Sequence, residues 1–194
     1  NDNGFSSGQP TVYSNVALKT NLFSALSNIS VTCLTGNGAV ADTPDNRQIA
    51  RSGKAKENDL SFSFLIKYNS FNYFTGGDLG GAIHGGSGTN METPLVNSVF
   101  FRDLIAPQTN VCAFKVSHHG SQGSTNPDFL NVMKPSIAVI MANFRRYNGT
   151  PLPTPEIVDK LFEAGMNPEK DIFVTFNTNI LPIISSLTWG NKSS

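Results

Sequence analysis

Two of the three histidines in this chain, His118 and His119, stand side by side in FKVSHHGSQGST, residues 114–125. A β-type run ends at Ser117, and a loop of small and hydroxylated residues follows the pair. In an extended segment consecutive side chains point in opposite directions, so one imidazole can bind a metal while its neighbour faces substrate or a carboxylate. Imidazole suits both tasks, being neutral or charged near pH 7 and a good zinc ligand. The bare dipeptide also reads as two surface histidines. Asp78 lies in GGDLGG, residues 76–81. Its carboxylate can bind one cation or bridge two, with glycines leaving room for water and substrate. A tight turn closed by an Asx hydrogen bond is the alternative. The loop GSQGST offers backbone N–H groups and hydroxyls just before a predicted helix, a setting that favours anionic oxygens. Lys115, Arg145 and Arg146 add positive charge near the same place, or the two arginines are simply solvated. His84 reads as a loop residue. Together these groups point to metal-assisted hydrolysis of a phosphate or acyl ester.

The elements that must position these residues follow from periodicity. ISVTCL (29–34) alternates like a strand, after a polar segment 1–28 in which VALKTNLFSALSN has the spacing of a short helix. The Gly-, Asp- and Asn-rich stretch up to Asp59 reads as a long loop. LSFSFLIKY and FNYFT, separated by Asn69 and Ser70, predict a hairpin. METPLVNSVFFRDLIA predicts one helix with a proline near its start, and VCAFKVS a strand. PDFLNVM is a short helix capped by Asn126 or Ser124, and SIAVIM a strand. PEIVDKLFEAG is a helix with Thr154 as N-cap and Gly165 at its C-terminal end. DIFVTF and LPIISSLTW are the last predicted strands. Strands alternating with helices imply βαβ units with parallel pairing. Right-handed crossovers then bring the C-terminal ends of the strands to one edge of the sheet. Asp78, the two histidines and Asn143 each follow a strand, so parallel neighbours would bring them together on one rim.

Composition narrows the function classes. A chain of 194 residues fits one domain and can bury roughly two-thirds of its unfolded surface. Lys+Arg and Asp+Glu are balanced at 14 each, so no overall field draws the protein to nucleic acid or to an anionic membrane. The charged fraction is 14%, below the roughly 25% usual for soluble domains, which leans toward an extracytoplasmic or secreted protein. The longest apolar runs are too short to span a bilayer, so a soluble chain without membrane insertion is expected. Cys33 and Cys112 lack CxxC spacing and read as simple buried residues, with a disulfide between them as the alternative.

The run NDLSFSFLIKYNSFNYFTGGD, then FKVSHHGSQGSTNPDFLNVMKPSIAVIMAN and TPEIVDKLFEAG, resembles the second half of a metallo-β-lactamase-fold hydrolase. The branch it looks most like includes the hydrolase domain of bacterial competence DNA-uptake channel proteins and the phosphorylcholine esterases. The resemblance covers about residues 59–175. It implies an α/β (α+β) fold, the C-terminal part of an αββα sandwich with a mixed sheet flanked by helices, and hydrolysis of a phosphodiester or phosphoester. It also implies a site with two zinc ions. Asp78 is then the bridging ligand, and His119 a terminal ligand with His118 facing substrate, or the reverse. Lys115, Ser121 and Asn143 match positions near the phosphate-binding side. Two motifs depart from the family. The HxHxDH motif that supplies most metal ligands is absent, and the NxYGHP motif reads NFRRYNGTPLP, without histidine. Two expectations compete. In the first, residues 1–194, beginning at Asn1 rather than Met, are a processed or cleaved C-terminal portion of one domain, and a complementary N-terminal segment or chain carries the missing ligands. In the second, a catalytically degenerate relative acts by binding. Half of a two-layer sandwich would expose an apolar sheet face, which favours a tightly bound complementary segment. A nucleic-acid-binding module is disfavoured by neutral charge and the lack of a basic aromatic stripe.

Overall fold

The structure is a computed structural model and describes residues 28–42, 47–50, 55–81, 89–106, 110–143, 149 and 151–175. The predicted helix in 16–28, the strand LPIISSLTW, and His84, Arg145 and Arg146 lie outside the described residues, apart from Asn28. Eight strands form one mixed sheet. They are β1 (Ile29–Gly36), β2 (Ala39–Val40), β3 (Arg47–Gln48), β4 (Ser63–Tyr68), β5 (Phe71–Thr75), β6 (Ala113–Lys115), β7 (Ile137–Ile140) and β8 (Ile172–Val174). Their order is β3-β2-β1-β4-β5-β6-β7-β8. Pairing is antiparallel from β3 to β5 and parallel from β5 to β8.

The β4–β5 hairpin turns where Asn69 and Ser70 are placed by the sequence, with Asn69 at φ 51°. Asn tolerates that left-handed conformation better than most residues. The long loop after β1 differs from expectation, because it contains the two-residue strands β2 and β3. Elements that short carry no readable alternation.

Four helices make the parallel crossovers: α1 (Glu92–Asn97) and α2 (Val99–Ile105) between β5 and β6, α3 (Pro127–Met133) between β6 and β7, and α4 (Pro155–Glu163) between β7 and β8. The single helix expected over 91–106 is broken at Ser98, whose extended backbone ends α1. Its hydroxyl then accepts from Phe101 N–H to start α2. Asn126 caps α3 by accepting from Phe129 N–H at 2.8 Å. Thr154 occupies the N-cap position of α4 without a side-chain cap bond, and its buried Oγ1 has no hydrogen-bond partner among the described residues.

The helices cover one sheet face. Phe129 of α3 meets Phe74 edge-on at 5.2 Å and lies 6.4 Å from Phe114, and Lys67 Nζ donates to Leu104 O in α2. Leu65, Phe74, Phe114, Ile140, Leu161 and Phe101 belong to that buried cluster. On the opposite face the rows Val31-Ile66-Tyr73-Ala113-Ile137 and Cys33-Phe64-Thr75-Lys115-Val139-Phe173 are mostly half-buried or exposed. Cys33 and Cys112 are free and half-buried, not fully buried and not bridged. Burial still pushes the Cys33 thiol up to about 11, so it stays protonated near neutral pH. No helix among the described residues is long and apolar enough to cross a membrane.

Candidate functional site

Parallel pairing sets the residues after three strands in register. Thr75 faces Lys115, which faces Val139. Asp78 and His118 each lie three residues beyond that line, and His119 and Asn143 each lie four. Elements far apart in sequence therefore deliver their side chains to one height above the sheet edge. There they line a cavity of about 970 Å³, with Asp78, His118, His119 and Asn143 joined by Asn58 and Thr175 among others. Lys115 and Ser121 do not line it.

The histidine pair adopts a conformation that the alternating-strand expectation misses. Ser117–Gly120 is a tight 3₁₀-type turn, with His118 at φ 50°, His119 at φ 55° and Gly120 at φ 77°. A left-handed backbone costs a non-glycine residue roughly 1–2 kcal/mol, so two adjacent histidines there are held by their surroundings. His118 N–H donates to Gly77 O at 3.0 Å, and Ser121 N–H donates to His118 O at 2.8 Å. Gly77 itself has φ 57°, which suits glycine. Its carbonyl also accepts from Lys115 Nζ at 2.9 Å. Lys115 thus works from behind the Asp78 loop, its second bond going to Val116 O. Partial burial lowers its pKa, and the charge of Asp78 pulls back the other way.

His119 Nδ1 lies 2.6 Å from the Met141 carbonyl. A carbonyl only accepts, so Nδ1 carries a proton, and the other ring nitrogen is Nε2. That Nε2 faces Asp78 Oδ1 at 3.6 Å. A carboxylate oxygen and an unprotonated ring nitrogen do not face each other stably without a proton or a cation between them. Zinc binds both donor types near 2.1 Å, which at a tetrahedral angle separates them by roughly 3.4 Å. The backbone anchor on the far nitrogen is the usual partner of a metal-binding histidine. These two side chains therefore fit two corners of a metal site. Among the described residues no group of three His, Cys, Asp or Glu is placed to hold a metal, so the set stops short of the three protein ligands of catalytic zinc.

His118 takes a different partner, with Nε2 lying 3.3 Å from Asn58 Nδ2. The amide is a donor, so that bond occupies the Nε2 lone pair. Burial lowers the pKa of His118, with Asp78 opposing and His119 and Lys115 adding to the drop. Asn58 was not legible as a site residue, since it stands in the charged stretch read as loop. It is placed by a 3₁₀ turn, Glu57–Leu60, pinned by the buried Asp59. That carboxylate accepts from Lys56 N–H, Thr89 N–H and Thr89 Oγ1.

At its helix-proximal end the loop GSQGST is engaged within the protein. Ser124 Oγ donates to Ser117 O and Ser121 O, which closes the loop on itself. The N–H groups of Thr125 and Asn126 are already taken by the buried carboxylate of Glu92, both at 2.7 Å. The protein's own side chain fills the place of an external anion. No protein-family model matches the chain, and no curated protein sequence matches it.

Proposed function

We propose that this chain forms part of a metal-dependent hydrolase of the metallo-β-lactamase fold, acting on phosphodiesters or phosphoesters. The observation that carries the reading is the Asp78–His119 pair, a carboxylate oxygen and an imidazole nitrogen 3.6 Å apart with the far imidazole nitrogen anchored on a backbone carbonyl. Asp78 and His119 would hold the cation, and a bound zinc would supply Lewis acidity toward a phosphoryl oxygen and toward water. His118, oriented by Asn58 at the cavity wall, is placed to hold or pass a proton of the reacting groups. Asn143 lines the same cavity on the substrate side, and Lys115 contributes charge through the Asp78 loop without reaching into it. Ser121 supports the histidine turn through its backbone. The choice of phosphoester over lactam rests on the resemblance to DNA-uptake hydrolases and phosphorylcholine esterases.

Two donors are fewer than a catalytic zinc requires. The remaining ligands would come from a complementary segment or chain of the HxHxDH type. The test is zinc content and hydrolysis of bis(p-nitrophenyl) phosphate by the protein purified with all its polypeptides, their number fixed by intact mass. At least one zinc per complex and activity abolished by a chelator are expected. Less than one zinc per complex would favour the second reading, a catalytically degenerate domain of the same fold that acts by binding. The two-donor count among the described residues is what favours that alternative.

A further inference from the structure

Glu92 is a fully buried carboxylate on the first turn of α1, away from the cavity wall. An isolated carboxylate in that setting is costly, and buried acids are normally paired or heavily hydrogen-bonded. Its two oxygens divide their work: Oε1 accepts from Thr125 N–H and Oε2 from Asn126 N–H. Those residues end the loop that begins with His118 and His119. On its other side lies Gly81, three residues after Asp78, so close that a Cβ there would overlap the Glu92 carboxyl group. The same junction is sewn by backbone bonds. Met91 N–H and Glu92 N–H both donate to Gly80 O, and Gly81 N–H donates to Gly123 O.

We propose that Glu92 is a positioning residue, whose carboxyl group locks the Asp78 loop against the loop of His118 and His119 and so sets the separation of the Asp78–His119 pair. The inference rests on reading that pair as the functional centre. Its geometry needs a glycine at position 81 and a carboxyl at position 92, since an amide would turn an NH₂ group toward one of the two N–H donors. Lys160 of α4 is the charged group that acts on Glu92, while Thr125, Asn126 and Gly81 are uncharged. Burial raises the Glu92 carboxyl to about 7, against the pull of its two backbone donors and Lys160. The lock therefore changes protonation inside the ordinary working range.

The test uses the chain itself, followed by amide NMR from about pH 5 to about pH 9. The amides of Gly80 and Gly81 and those of Thr125 and Asn126 should shift together with one midpoint near 7. In Glu92→Gln the shared transition should vanish from both loops, while shifts driven by the histidines persist. Gly81→Ala should displace the Thr125 and Asn126 amides although it touches neither residue. Separate midpoints on the two loops, or a shared transition that survives Glu92→Gln, would overturn the proposal. In the complete protein, Glu92→Gln should weaken zinc binding by about 10–100-fold, the range for groups that orient metal ligands. An unchanged zinc affinity would also overturn it. A wild-type complex that binds no zinc but keeps the coupled amide transitions would remove the hydrolase reading and leave the loop lock standing.

Discussion

Within the histidine pair, chain neighbours have unlike partners. His119 is fixed by a carbonyl and opens its free nitrogen toward Asp78, whereas His118 gives its Nε2 lone pair to Asn58. On the proposed hydrolase reading, His119→Asn should lower zinc affinity by about 100-fold or more. His118→Asn should leave zinc content unchanged and lower kcat by about 100-fold, the lower end of the range for a general acid or base. Elemental analysis beside steady-state kinetics separates the two outcomes, and the opposite pattern would reverse the roles. Glu92 gives the residue scale a pH signature. Its carboxyl rises from an ordinary 4.5 to about 7 in the folded state, so between those values the folded chain holds more protons than the unfolded one. The contribution is thus fully present below about pH 4.5 and is lost as pH rises through about 7. Its size is of order 3 kcal/mol at 1.36 kcal/mol per unit. His118, whose folded pKa is lowered, acts with the opposite sign through its own range. The stability difference between wild type and Glu92→Gln, measured by urea unfolding at several pH values, isolates the Glu92 part and should fall as pH rises.

At the scale of elements, the strands and helices that carry the rim were largely legible, because each has an apolar period and a punctuating residue. Asn69-Ser70 marks the hairpin and Asn126-Pro127 the start of α3. The parallel order of β5 to β7 followed from the alternation of strands with helices, and with it the meeting of Asp78, His119 and Asn143. What escaped was set by tertiary contacts. The left-handed histidine turn is held by the His118 N–H bond to Gly77 O and the Ser121 N–H bond to His118 O, and no propensity of histidine announces it. Asn58 reaches the site only because Asp59 is tied to Thr89, thirty residues away. Ser98 was missed as a helix break although its residue type is a strong cap, since the apolar spacing runs on through it. The two predicted caps now separate experimentally. Asn126→Ala should cost about 1–2 kcal/mol, because a cap bond to Phe129 N–H is lost together with side-chain bonds to Asn90 and Thr93. Thr154→Val should be neutral or stabilising by up to about 1 kcal/mol, because it removes a buried hydroxyl that has no partner among the described residues. Denaturant midpoints at constant m-value decide both.

At the scale of the whole molecule, the described residues form a sheet with two unlike faces. Helices cover the face of Phe74 and Phe114, while the rows on the other face lead toward the edge where Asp78 and the histidines project. On that face Tyr68 is 51% exposed, Phe173 52% and Ile137 38%. Monomers seldom leave large contiguous apolar patches open. On the proposed reading, the complementary segment would be laid across the row Thr75-Lys115-Val139-Phe173 and end beside the cavity. The chain on its own should then bind a hydrophobic dye while keeping native near-UV circular dichroism. The double substitution Ile137→Lys and Phe173→Lys should cut the dye signal severalfold. It should change stability by no more than about 0.5 kcal/mol, as surface substitutions usually do. If a complementary polypeptide docks here as proposed, the same pair should weaken its association, read as its loss on gel filtration. A native chain that binds no dye would mean that its own remaining residues cover this face, and a complementary segment of the proposed hydrolase would then have to approach the rim from the cavity side.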